Sequence, residues 1–157
     1  MERNDYLKML VEEMHSTTMA TIGADGHPQT RVIDMMLWDE KGVYFLTAKG
    51  KAFYAQLMEQ GYVAISATKD KKAVSLRGRI QNIHSEKMDE IFEKNPYMQK
   101  IYPGDTRAAL EVFRVYEAEG EYFDITRIPA AIDQHQCLHC GRCAETCPRG
   151  TIRKRGQ

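Results

Sequence analysis

Four cysteines, Cys137, Cys140, Cys143 and Cys147, fall within eleven residues near the C-terminus, and Pro148 follows the last. The chain has no others. The spacing C-x2-C-x2-C-x3-C-P suits thiolates that converge on a compact iron–sulfur cluster, so a 4Fe-4S cluster is the expected cofactor of this segment. Gly141 lets the backbone turn close to such a cluster, and Pro148 ends the loop. A disulfide framework fits poorly, because frameworks serve small secreted chains whose cysteines are spread through the fold. Zinc usually takes separated pairs of ligands; with His135 and His139 nearby it stays open as the alternative.

The segment CLHCGRCAETCPRGTI resembles one half of a bacterial-type ferredoxin, including the Gly after the second Cys and the Ile beyond the Pro. In two-cluster ferredoxins the fourth Cys of a run serves the other cluster. This chain carries one run, so the expectation is that Cys147 ligates the same cluster as Cys137, Cys140 and Cys143. The alternatives are exchange of Cys147 between two chains of a dimer, and a free Cys147 with an outside ligand on the fourth iron or a three-iron cluster.

The elements ahead of this tail must supply whatever the cluster exchanges electrons with. The chain has 157 residues, enough for a body that buries its own core and a short appendage. Lys and Arg number 22 and Asp and Glu 22, so the overall charge points to neither nucleic acid nor an anionic membrane. No signal-peptide pattern opens the sequence, and no apolar run approaches the ~18 residues of a spanning helix. A cytoplasmic location is expected.

Tyr6, Leu7, Leu10, Val11 and Met14 fall at helical spacing, so an N-terminal helix is predicted. Strands are predicted over Thr17–Ile22, Gln29–Trp38 and Val43–Thr47, separated by the turn sequences Ala24–Pro28 and Asp39–Gly42. A helix over Lys51–Gln60 follows, then strands over Tyr62–Thr68 and Ala73–His84, and a helix over Ser85–Lys94. A closing hairpin, Val112–Ala118 and Tyr122–Ile128, is predicted around Glu119-Gly120. The fold class is mostly β with a few helices. A six-stranded antiparallel small barrel spans 1–128, and an iron–sulfur tail spans 129–157.

The stretch QTRVIDMMLWDEKGVYFLTAKGKAFYAQLMEQ, residues 29–60, resembles the flavin-binding split barrel of the pyridoxamine 5′-phosphate oxidase-like superfamily. The likeness extends over Thr17–Ile128 in the order of strands, the helix after the third strand and the closing hairpin. Among relatives it is nearest to the nitroimidazole-resistance and general-stress types. It implies FMN held at a homodimer interface by an Arg early in the second strand, a Thr at a strand end and a basic turn. Here those positions are Arg31, Thr47 and Lys51, and Lys49 adds charge. Flavin phosphate is a dianion and wants charge-assisted donors. Lys51 opens a predicted helix, whose free amides favour an anion. Arg31 shares a strand face with Ile33, Met35 and Leu37, though a charge guarding an edge strand would also account for it.

Where true pyridoxamine phosphate oxidases carry an Arg-rich C-terminal substrate segment, this chain has its cysteines, which argues against vitamin B6 oxidation. The expected function is an FMN- and iron–sulfur-dependent oxidoreductase, passing electrons from a ferredoxin-like donor to a small organic acceptor of the nitro or quinone type. An electron carrier or redox sensor, and a zinc-stabilised flavin-binding module, are the alternatives. No catalytic acid or base stands out. His15, His27 and His84 read as surface or capping residues, and Arg77 and Arg79 as facing water or a partner subunit.

Overall fold

The computed structural model describes residues 2–124 and Thr126. Helix α1 (Arg3–Lys8) continues as a π-helical stretch over Met9–Met14. Leu7, Leu10, Val11 and Met14 of this segment are buried against the sheet, as their spacing predicts. Next come β1 (Ser16–Ile22), β2 (Pro28–Asp34), β3 (Leu37–Asp39) and β4 (Gly42–Ala48). Helix α2 (Ala52–Gln60) leads into β5 (Tyr62–Lys69) and the long β6 (Lys72–His84). Two short helices, α3 (Met88–Lys94) and α4 (Met98–Ile101), and a 3-10 stretch over Gly104–Ala109 precede β7 (Leu110–Asp124).

The seven strands form one antiparallel sheet in the order β2-β1-β5-β6-β7-β4-β3. Its two edge strands, β2 and β3, are separated in sequence only by Met35 and Met36. So short a link brings the two ends of the order together, and the sheet must curl into a barrel. Met35 N–H donates to His15 O at 2.8 Å on the β1 side, and Met36 N–H to Tyr44 O at 2.8 Å on the β4 side. The predicted strand over Gln29–Trp38 is therefore two strands, because the chain changes pairing partner at these buried methionines. The break adds one strand to the predicted segments and the continuity of the last strand removes one, so the sheet has seven strands and the mostly β barrel architecture holds.

The predicted closing hairpin is the second correction. Leu110–Asp124 is one continuous strand, with Leu76 opposite Gly120 and Arg77 opposite Glu119. Gly120 reads as a turn in sequence, yet its role is close approach: a Cβ there would lie 2.3 Å from Ser75 O. The irregularity sits instead at the register shift between Arg77 and Arg79, near Glu117, whose φ is 44°.

The barrel interior is filled by Met19, Phe45, Val63, Ile65, Phe113 and Val115, among others. A second cluster packs Tyr44, Leu46 and Val112 against Ile91, Phe92 and Met98 of α3 and α4. This second layer explains why every residue of β4 but the last is buried. Among the described residues no helix is long and apolar enough to cross a membrane. The four cysteines and the boundary at Pro129 lie outside the described residues.

Candidate functional site

Arg31 stands in β2 opposite Met19 of β1, a residue with no exposure, so its side chain shares the inward face of the strand. There its guanidinium donates to Thr21 Oγ1 at 2.5 Å and to Gln56 Oε1 at 3.1 Å. It also lies 4.3 Å from the centroid of the Phe53 ring. Thr21 in turn donates to Gln56 Oε1 at 2.6 Å, and Gln56 Nε2 donates to Gln29 Oε1 at 2.9 Å. Burial lowers the Arg31 pKa from its ordinary value. Among the described residues every acceptor around the guanidinium is neutral. Arg31 is thus held at the β2–α2 junction and does not fit the edge-strand alternative.

Phe53 and Gln56 are i, i+3 on α2, so one face of this helix supplies both the ring beneath Arg31 and the acceptor beside it. Lys51 is the N-cap of the same helix, and no side chain caps it. Ser, Thr, Asp or Asn would ordinarily fill that position and satisfy the first amides. Here the free amides and the positive end of the helix dipole are left beside Lys51. Neither Arg31, Lys49 nor Lys51 pairs with an acidic side chain among the described residues. Uncompensated cations around an uncapped helix start fit a phosphate dianion.

Thr47 is buried at the end of β4 and lies opposite Glu111 of β7. Lys49, two residues on, donates its backbone N–H to Ala109 O at 2.8 Å. It lines a cleft of about 840 Å³ with Arg107, Asp89, Asp105 and Glu111. Arg31 and Lys51 thus both adjoin α2, Arg31 through Phe53 and Gln56 and Lys51 as the N-cap, while Thr47 lies at the end of the preceding strand. Lys49 faces a separate, mixed-charge cleft.

A second polar network, absent from the sequence reading, holds the other flank of α2. Tyr54 O–H donates to Glu111 Oε2 at 2.5 Å, and Asn82 Nδ2 donates to the same oxygen at 2.6 Å. His84 Nδ1 lies 3.3 Å from Glu111 Oε1. The Tyr54 and Asn82 hydrogen bonds, joined by His84, hold the Glu111 carboxyl down to about 2 against the opposing effect of burial. In return Glu111 pushes the Tyr54 hydroxyl up. Spacing could have found Phe53 and Gln56, since both sit on the predicted helix one turn apart. Thr21, Asn82 and Glu111 carried no such signal, because only strand pairing brings them to α2.

The three histidines fit the sequence reading of surface or capping residues: His84 is exposed and His15 caps the end of the π-helical stretch. His84 joins the Glu111 network, and His15 Nε2 lies 2.9 Å from the Tyr97 hydroxyl. His27 is a surface residue beside Asp25, as expected. Arg77 and Arg79 are exposed and paired with Glu119 and Glu117. Met35 and Met36 are buried, while Met58 is 53% exposed next to Asn82.

Comparison with known proteins bears on the family and the fold. Residues 4–124 match the sequence profile described as pyridoxamine 5′-phosphate oxidase, and residues 129–152 match that of a 4Fe-4S binding domain. A pyridoxine/pyridoxamine 5′-phosphate oxidase from Paracidovorax citrulli is 29% identical over 93 residues, covering 58% of this chain and 41% of that protein. The chain spans about half the length of the curated relatives it matches. In structure, a NimC/NimA family protein from Clostridium acetobutylicum superposes with a TM-score of 0.68 at 20% identity, covering 78% of this chain and 88% of that one. A protein described as an F420 reductase superposes with a TM-score of 0.54 at 20% identity, covering 71% and 94%.

Proposed function

Because the chain belongs to the pyridoxamine 5′-phosphate oxidase family, we propose that it is an FMN- and 4Fe-4S-dependent oxidoreductase. In this reading it takes electrons from a ferredoxin-like donor and delivers them to a small organic acceptor. The observation that carries the flavin half is the set of cations without acidic partners, Arg31 and Lys51, at the uncapped start of α2. Arg31, Lys51 and the free amides of α2 would hold the FMN phosphate, with Thr47 offering its hydroxyl nearby. The Thr21–Gln56 pair presents Arg31 in one orientation, so little side-chain freedom is lost when an anion arrives.

A bound flavin exchanges between one- and two-electron chemistry, and a cluster on Cys137, Cys140, Cys143 and Cys147 passes single electrons. One structural relative is described as a reductase, which supports reductive chemistry on this fold. Vitamin B6 phosphate is not the proposed substrate, since residues 129–152, which match a 4Fe-4S binding domain, stand where the resemblance to those oxidases implies an Arg-rich substrate segment.

The partner in this reading is a second copy of the chain. The outward residues of β1 and β5, namely Thr18, Ala20, Ile22, Tyr62, Ala64 and Ser66, include no charge. Beside them Val32 of edge strand β2 is 70% exposed. A β-rich face of this kind, flanked by the ion-paired Arg77 and Arg79 of β6, needs a cover to avoid non-specific pairing, and a twofold-related copy presents a matching surface. Anaerobic purification followed by an optical spectrum, with counts of flavin, iron and sulfide per chain, tests the cofactors directly. One flavin and four irons per chain are expected. Zinc with no sulfide would favour the zinc-stabilised alternative. Steady-state turnover with a panel of nitro compounds and quinones separates an enzyme from a carrier that exchanges electrons only with proteins.

A further inference from the structure

Arg31 sits among three polar side chains, Thr21 of β1, Gln29 of β2 and Gln56 of α2, and none of them carries a charge. Gln29 shares the strand face of Arg31, two residues earlier, and stands opposite Thr21 in the β1–β2 ladder. Thr21 is buried, and Gln56 reaches both strands from the second turn of α2.

The direction of each hydrogen bond in this set follows from donor chemistry. A guanidinium only donates, so Thr21 Oγ1 accepts from Arg31 Nη1 and directs its own proton to Gln56 Oε1. Gln56 Oε1 thereby receives two donors, the Thr21 hydroxyl and Arg31 Nη2. The Gln56 amide nitrogen faces Gln29 Oε1 at 2.9 Å. A flipped Gln56 amide would set its N–H groups against the guanidinium and the Thr21 proton, so Thr21 and Gln29 together fix which end of the amide meets Arg31. Two of the five guanidinium N–H groups are engaged in this way, and the others have no acceptor among the described residues.

An arginine drawn into a protein's interior is ordinarily paired with a carboxylate. The Gln56 carbonyl occupies the place such a carboxylate would take, because glutamate has the same shape and would meet Arg31 Nη2 at the same distance. Burial shifts the Arg31 pKa downward, and no neighbouring anion among the described residues opposes it. The guanidinium keeps its charge nonetheless, since its ordinary pKa lies far above neutral pH. The set therefore orients the guanidinium and leaves its charge uncompensated.

We propose that Gln56 is a positioning residue and the charge determinant of the flavin-phosphate subsite: its neutral carbonyl orients Arg31 and leaves the guanidinium charge to a phosphate monoester, whereas a carboxylate in its place would occupy that charge. The inference rests on the flavin reading above for the identity of the anion. Gln29, which pins the Gln56 amide, acts at one further remove.

FMN and riboflavin, which lacks only the phosphate, are compared by flavin-fluorescence titration of the full-length protein freed of flavin. The ratio of their dissociation constants isolates the phosphate contribution. The unmodified protein should prefer FMN by about a hundredfold or more, the worth of charge-assisted hydrogen bonds from Arg31 and Lys51. Gln56→Glu is isosteric and should cut that preference by about tenfold or more, with riboflavin affinity held within about twofold. Its melting temperature should be no lower than that of the unmodified protein, because an ion pair replaces a neutral hydrogen bond. Gln56→Met, uncharged and without an acceptor, should cut the preference by only about threefold, the cost of freeing one side chain. A preference for FMN that survives Gln56→Glu intact would overturn the inference and leave the flavin reading standing. Losses of equal size in the two variants would mean that charge plays no part, and FMN and riboflavin weakened alike would mean that Gln56 only docks α2; either result overturns it as well. Equal affinity of the unmodified protein for FMN and riboflavin would instead bring down the phosphate site itself, and the inference with it.

Discussion

At the scale of single residues, charge placement separates binding from stability. Among the described residues Arg31 has only neutral partners, so its charge is available to an anion. Arg31→Ala removes a charge-assisted hydrogen bond of roughly 1.5–3 kcal/mol and should weaken FMN by about 10- to 100-fold in a flavin-fluorescence titration. Unchanged affinity would remove Arg31 from the site. Glu111 is the opposite case, a carboxylate whose partners are all internal. Its folded pKa of about 2 lies below the unfolded value near 4.3, so its contribution is complete above that unfolded value. The contribution is lost as pH falls toward about 2. Glu111→Gln should therefore melt lower than the unmodified protein at neutral pH, and the two melting curves should converge under acid conditions. A melting difference that stays constant across that window would mean that Glu111 acts by packing alone.

At the scale of elements, α2 is the device that gathers the site. Phe53 and Leu57 bury into the barrel, Gln56 and Gln60 bond to the β1–β2 side, and Tyr54 bonds to the β6–β7 side. Gly61 ends the helix with φ 61°, a left-handed conformation that glycine adopts freely. The start of the helix is left without a side-chain cap. Lys51→Asp should supply that cap and stabilise the fold by about 0.5–1 kcal/mol in urea unfolding, while weakening FMN at least about tenfold. A variant that gained stability without losing flavin would show that the phosphate lies elsewhere. Strand β7 makes a comparable statement about stability. Gly120→Ala would place a methyl group against Ser75 O and should cost about 1–3 kcal/mol. A neutral substitution would mean that Gly120 does not pack against β6 in solution.

At the scale of the whole molecule, the outer face of β1 and β5 and the flavin site stand or fall together in the family reading. Val32→Glu combined with Ala64→Glu sets like charges on that face without touching Arg31 or α2. The double variant should sediment as a monomer and lose flavin affinity. Monomeric behaviour of the unmodified protein would count against an interface site, whereas a dimer insensitive to both substitutions would move the interface to another surface.

The local signals in the sequence were those of covalent spacing and periodicity. The cysteine run, the amphipathic first helix, the alternation along β1 and β5 and the helix after β4 depend on neighbours in the chain, and all but the cysteine run lie in the described residues as read. Arg31, Thr47 and Lys51 could be grouped as candidates in the sequence because a family pattern links them in order. Three features were decided only in three dimensions. The break at Met35–Met36 follows from barrel closure, which obliges one segment to pair with β1 and then with β4. The continuity of β7 follows from the approach of Gly120 to β6, where a glycine that looks like a turn instead makes room for a neighbouring backbone. The partners of Arg31, Glu111 and His15 come from strands and helices up to 82 residues apart in the chain. Hydrogen-bond partners across such distances are set by strand register and helix docking, which single-residue propensities do not encode.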